Sequence, residues 1–248
     1  MSVHVIHESV DSTNDEARRM AADGAASGST VVAHEQRAGR GRMGRVWHSP
    51  AAGNLYLSLI HRSALAADSL SGITLDAATA VADVLEAAGL SVGLKWPNDL
   101  MVEGLKLGGI LTELVVEDGA VTVIIGLGLN VNATVDDFPP ELHAVATSMA
   151  LEMGEAQDLE WLARRISSTL RSKLAAFEVR GAPDLKAFEM RCVLKDHAIE
   201  YEGEGGRRQG IVKGLDPAGA LLVKDLHDGN TVVVRSGEVL TAPEDEDE

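Results

Sequence analysis

"GGILTELVVEDGAVTVIIGLGLNV", residues 108–131, is two apolar runs on either side of Asp118-Gly119. β-Branched and aliphatic residues fill both runs, and an Asp-Gly pair suits the tight turn of a hairpin. Just ahead, "LSVGLKW" at 90–96 reads as a third strand-like run. Working outward, "VHVIHESV" at 3–10 and "STVVAHEQ" at 29–36 also read as strands. "NLYLSLIHR" at 54–62 alternates with period two, which predicts a half-buried strand.

Helical spacing separates these strands. Thr13 and Glu16 stand three apart, as a capping box requires, before a short helix through "NDEARRMAADG". Apolar residues from Ile73 to Ala88 keep helical spacing, and Gly89 supplies the stop. Leu159, Leu162, Ile166, Leu170, Leu174 and Phe177 mark one face of a long helix, with Arg164, Arg171 and Lys173 outside. Near Leu194 the texture changes. Residues 196–240 hold short strands broken by "GEGGRRQG", "LDPAGA" and "LHDGN", the pattern of a small β-barrel. The prediction is an α+β fold with a mixed or antiparallel sheet over 1–193, then a small barrel over 194–241. The acidic tail 242–248 is expected to be disordered.

Composition narrows the function. With 248 residues and 45% apolar residues the chain can bury a full core. No apolar run is long enough to span a bilayer, the start has no signal-peptide pattern, and a single cysteine, Cys192, forbids an intrachain disulfide. Cys192 reads as a small buried hydrophobe, and the expected compartment is the cytoplasm. The formal charge of −16 argues against a nucleic-acid partner. Against that background, "AGRGRMGRVWHSP" at 38–50 is an anomaly. Arg37, Arg40, Arg42 and Arg45 fall within nine residues, with Gly39, Gly41 and Gly44 between them and Trp47 closing the run. Without these four cations the charge would be −20, so the positive charge is local and suits a small polyanion. The plain alternative is a solvated basic loop. Either way an isolated segment of this kind should be mobile.

Three further stretches carry candidate chemistry. "DSTN" at 11–14 reads both as a helix cap and as short polar groups aimed at a ligand from a helix N-terminus. "KWPNDL" at 95–100 and "KLGGI" at 106–110 place polar groups beside an apolar strand, with Lys106 ahead of a Gly-Gly pair. "GLGLNVN" at 126–132 is half of a dinucleotide fingerprint without the third glycine or a following helix, which leaves a close approach of ligand to backbone.

In combination these motifs resemble the biotin–protein ligases. "GRGRMGRVW" matches that family's glycine- and arginine-rich loop, "KWPND" and "KLGGI" its next two signatures, with "DSTN" upstream and "GLGLN" downstream in their usual places. The resemblance runs from about residue 6 to 240. It implies the biotin–lipoate ligase fold, similar to class II aminoacyl-tRNA synthetases, with a C-terminal SH3-like barrel. It implies that biotin and ATP, carried with Mg²⁺, form biotinyl-5′-AMP, and that a lysine of a biotin carboxyl carrier protein then takes the biotinyl group. No membrane partner follows, a homodimer is compatible, and no residue cluster suggests a dedicated metal site.

Carried over residue by residue, Lys106 and Arg42 are the expected catalytic cations. Biotin contacts fall to Ser12, Thr13, Asn14, Gln36, Gly39, Arg40, Arg42, Lys106, Gly109, Gly126 and Gly128. The adenylate is expected against Arg42, Arg45, Trp47, Asn98, Lys106 and Asn130, with Asp99 positioning the acceptor lysine. Two departures stand out. The catalytic pattern begins within ten residues, which leaves no room for a repressor's helix-turn-helix, and Met43 stands where some relatives have arginine. A lipoate–protein ligase and a non-catalytic biotin- or nucleotide-binding module are the alternatives.

Overall fold

The fold is described from a computed structural model, for all residues except Ala52, Glu204, Gly205, Glu238 and 242–248. The expected disordered tail lies outside the described residues. The Asp118-Gly119 turn joins the strands β6 (Leu105–Glu117) and β7 (Ala120–Leu129), which pair antiparallel from Gly108↔Leu129 to Glu117↔Ala120. Both turn residues have positive φ, 49° and 80°, as a hairpin of this kind requires. Around this pair seven strands form one mixed sheet. The others are β1 (His4–Val10), β2 (Thr30–Gln36), β3 (Leu55–Ser63), β4 (Gly93–Lys95) and β5 (Asp99–Val102). Their order is β1-β2-β3-β7-β6-β5-β4, with only β1–β2 parallel.

Helices cover both faces. α1 (Thr13–Ala22) packs its Ala17 against Val31, Ile60 and Ile124. The opposite face, with Leu57, Leu59, Val123 and Ile125, joins the core beneath α2 (Ile73–Ala87) and α4 (Leu159–Arg180). β3 is therefore buried on both faces, not half-buried. Its alternation misled because Ser58 is polar yet fully buried, 2.6 Å from Asn14 Oδ1 and 2.8 Å from Thr13 Oγ1. The expected capping box is also absent. Ser12 is the N-cap of α1 and makes no side-chain cap, the Thr13 hydroxyl donates to Gln36 Oε1 (3.1 Å), and Glu16 pairs with Arg19. The run 90–96 contributes only β4, and the following residues turn through a cis Trp96–Pro97 peptide into β5, a strand not foreseen.

Two short helices, α3 (Met149–Met153) and α5 (Leu185–Glu189), flank α4. The remaining strands are β8 (Ala198–Gly203), β9 (Gly206–Leu215), β10 (Leu221–Asp225), β11 (Thr231–Val234) and β12 (Leu240–Thr241). They form an antiparallel sheet ordered β11-β10-β9-β8-β12, compatible with a small SH3-like unit. β12 is two residues long, and no ladder joins β11 to β12 among the described residues. Its Tyr201, Leu221 and Val223 belong to the same buried cluster as Leu57, Val81 and Phe177. Trp96 Nε1 also donates to Gly219 O (2.9 Å) across the two sheets. Cys192 is half-buried against this core, and burial pushes its thiol up. Among the described residues no helix is long and apolar enough to cross a membrane.

One buried charge ties α2 to the end of α4. Asp76 is fully buried, pairs with Arg180, and accepts from Asp184 N (2.7 Å). Burial raises its carboxyl above the usual range, against the opposing pull of Asp184 N–H and Arg180. Arg180→Met should cost about 2 kcal/mol at pH 7, because the carboxylate then lacks its counter-ion. A group with a raised folded-state pKa takes up a proton as the pH falls, which removes the unpaired charge. The difference from wild type in urea melts should therefore shrink between pH 7 and pH 4.5.

Candidate active site

A cavity of about 270 Å³ lies over β6, β7 and the end of β2, against the N-terminus of α1. All the sequence-predicted site residues line it except Gly39 and Asp99. Gly39 stands behind the wall, where an added Cβ would lie 2.5 Å from Ser49 Oγ and 2.6 Å from Trp47 O. Asp99 sits next to the lining and holds Lys106 Nζ at 2.7 Å.

The floor is a polar network. Gln36 Oε1 accepts from Thr13 N (2.9 Å) and Thr13 Oγ1, and Gln36 Nε2 donates to Ser49 Oγ (3.1 Å). Asn14 is 3% exposed, and its amide donates to Glu113 Oε2 (2.6 Å) while its carbonyl faces Ser58. Two glycines make this possible, in a way the sequence did not suggest. They were expected to let a ligand approach the backbone. Both line the cavity, and each also lies against a side chain of this chain: a Cβ at Gly126 would lie 2.2 Å from Asn14 Oδ1, and one at Gly128 would lie 2.4 Å from Trp47 Nε1.

The arginine segment is folded. Gly41 N donates to Arg45 O (2.7 Å) and Trp47 N to Gly39 O (2.9 Å), closing a small hairpin around a 3₁₀ turn at Arg42–Gly44. The expectation of mobility rested on the glycines, on like-charge repulsion and on the lack of apolar anchors, and carboxylates on the α1 side offset part of that repulsion. Arg37 pairs with Asp11 (2.8 Å), and Arg40 makes a two-pronged pair with Asp15 (2.6 and 2.7 Å). That contact holds the Asp15 carboxyl below its usual range. Met43, at the turn, has φ 57° and is 76% exposed.

The remaining cations face the cavity. Arg42 has a long contact to Asn98 Oδ1 (3.5 Å), and burial lowers its pKa, opposed by Asp99 and reinforced by Arg45. A cation in this position gains from an incoming anion. Lys106 Nζ lies 5.4 Å from the Trp47 ring centroid, and its backbone is pinned by Val145 O (2.8 Å) and Thr147 N (3.0 Å). Trp47 Nε1 is buried without an acceptor. Asn130 donates to Thr147 O (2.9 Å). A second cavity of about 530 Å³ opens beyond Arg42 and Asn98, bounded by the first turn of α2, Ala218–Ala220 and Arg235. Among the described residues no group of three His, Cys, Asp or Glu is placed to hold a metal ion.

Sequence reading missed the apolar wall of Phe138, Leu142 and Val145. It also missed Ser58 and Glu113 beneath the floor and Asp15 beside it. Phe138 and Leu142 stand four apart in a segment without strand or helix periodicity, so only their apolar character marked them.

Residues 6–130 match the biotin/lipoate A/B protein ligase family. The bifunctional ligase/repressor BirA of Bacillus spizizenii is 37% identical over 228 residues, covering 90% of this chain and 70% of that protein. The biotin–[acetyl-CoA-carboxylase] ligase of Paracoccus denitrificans is 34% identical over 223 residues, covering 86% of this chain and 91% of that one. Among solved structures, the biotin protein ligase of Aquifex aeolicus in complex with biotin and ATP superposes with a TM-score of 0.80. That pair is 25% identical, over 97% of this chain and 98% of the other.

Proposed function

This chain belongs to the biotin/lipoate A/B protein ligase family, and from that premise we propose that it activates biotin with ATP and transfers it to a lysine of a biotin carboxyl carrier protein. The observation that carries the reading is the convergence of Lys106 and Arg42 on one cavity above a hydrogen-bonded polar floor. The relatives are biotin ligases, which favours biotin over lipoate.

The first step joins a biotin carboxylate oxygen to the α-phosphorus of MgATP and expels pyrophosphate. Two anions must meet, so the site has to cancel charge and hold them in line. Lys106 is the cation placed to bridge carboxylate and α-phosphate. Arg42, disfavoured as a bare cation by its burial, clamps the phosphate, with Arg45 beside it. Ser12, Thr13 and Gln36 offer hydrogen bonds to the ureido head, while Phe138, Leu142 and Val145 suit biotin's apolar body. Trp47 and Asn130 are assigned to the adenine side.

In the second step the acceptor ε-amine attacks the acyl carbon and AMP leaves with the bonding pair. Asp99 lies beside Lys106 at the entrance to this chemistry and would orient the incoming amine. Magnesium arrives on ATP. The acidic charge supports a protein without a nucleic-acid partner, and we assign it to the cytoplasm together with the proposed carrier.

The decisive assay combines the protein with biotin, MgATP and a biotin carboxyl carrier domain. The expected product is the carrier with one biotinyl mass increment on a single lysine, dependent on ATP. No increment with biotin, or an equal one with lipoate, would remove this reading.

A further inference from the structure

We propose that Asp15 is a positioning residue: its carboxylate holds Arg40 and so fixes the limb of the arginine segment that carries Arg42 over the cavity. The catalytic consequence rests on the biotin-ligase reading. The positional claim stands on the contacts alone.

The four arginines are sorted into two groups by what lies beneath them. Arg37 and Arg40 lie three apart on the segment, and their acceptors Asp11 and Asp15 flank the start of α1, four apart. Arg37 Nε donates to Asp11 Oδ1 (2.9 Å), and Arg40 places both terminal nitrogens on the Asp15 carboxylate (2.6 and 2.7 Å). The segment is thus clamped at two points just before Gly41. Arg42 lies one residue past that glycine, and its side chain makes the long contact to Asn98.

Asp15 is itself held from behind. Arg18 Nη1 lies 3.3 Å from Asp15 Oδ1, Arg18 Nη2 donates to Glu113 Oε1 (2.8 Å), and the other oxygen of Glu113 binds Asn14 of the floor (2.6 Å). One chain of contacts therefore runs from the cavity floor through Glu113, Arg18 and Asp15 to Arg40. A planar guanidinium on a carboxylate fixed in this way has little freedom to swing. Arg40 is consequently a strut of the segment, with both terminal nitrogens of its fork occupied by Asp15. Asp15 lines neither cavity, so it acts through Arg40 and not on the reacting atoms.

The test reads the segment directly. In ligand-free protein, Asp15→Asn should speed amide hydrogen exchange over residues 39–47 about fivefold, with Asp15→Glu close to wild type. In protein loaded with biotin and MgATP and no acceptor, the same substitution should speed escape of the acyl-adenylate about fivefold, again recovered by Asp15→Glu. Unchanged exchange over 39–47 would overturn the proposal. So would faster exchange spread evenly over α1 and the sheet, which would mean general loosening of the fold. Faster exchange with unchanged escape would overturn the catalytic half. A wild-type protein that forms no adenylate would remove the ligase reading, while the exchange measurement would still decide what Asp15 does.

Discussion

Lys106→Ala is expected to slow adenylate formation by about 10²–10³-fold, the range for removing one preorganised charge from a developing anionic centre. The lysine is held for this task by two independent constraints. Its backbone is paired on both sides to the 145–147 segment, and its ammonium is fixed between Asp99 and the Trp47 ring. Alanine keeps the backbone pairing, and the lost ion pair is partly solvent-exposed, so stability should change by less than about 1 kcal/mol. Pyrophosphate release measured with biotin and MgATP, beside a thermal melt, separates the two effects. Normal release with normal melting would withdraw Lys106 from the reaction. Lys106→Arg is a useful second variant, since it keeps the charge and changes the shape.

Gly126→Ala should be nearly as damaging, through packing. The new methyl would sit 2.2 Å from Asn14 Oδ1 and 2.9 Å from its Cγ, inside any permitted contact. Asn14 cannot step aside cheaply, because Glu113 and Ser58 hold its two ends in a buried position. Overpacking plus the broken hydrogen bonds should cost about 2–4 kcal/mol of stability, read from urea unfolding. Biotin affinity measured by calorimetry should fall with it, because Asn14 forms part of the cavity floor. Truncating the partner tests the cause. Adding Asn14→Ala to Gly126→Ala should recover part of the stability, and a strictly additive loss would refute the steric account.

The fold was largely legible because its strongest signals are local. Asp118-Gly119 marked the central hairpin, and helical spacing marked α2 and α4 within a residue or so of their observed starts. What escaped notice depends on contacts distant in sequence. Ser58 made β3 look amphipathic, although its hydroxyl is satisfied by α1 more than forty residues earlier. Thr13 resembled a cap, but Gln36 competes for its hydroxyl. β5 was hidden because "NDLMV" has no run of β-formers and is set by pairing with β4 and β6.

The site was legible as a set of motifs and not as a set of roles. Sequence order brought DSTN, the arginine segment, Lys106 and the glycines to one cavity. It did not reveal that Gly126 and Gly128 accommodate Asn14 and Trp47. Nor did it distinguish Arg40, paired to Asp15, from Arg42, which burial leaves short of counter-charge. Four identical side chains in one motif differ only in what the fold brings beneath them.

The hydrogen bond from Trp96 to the carbonyl of Gly219 bears on how such a protein can change over time. Trp96 lies two residues before Asn98, and its acceptor lies in a turn more than a hundred residues later. A mutation in that turn, invisible to any search for catalytic motifs, would be transmitted to the cavity wall at Asn98. The C-terminal segment is therefore a poor candidate for swapping between relatives as an interchangeable part. A chimaera would inherit an indole donor without its fitted acceptor.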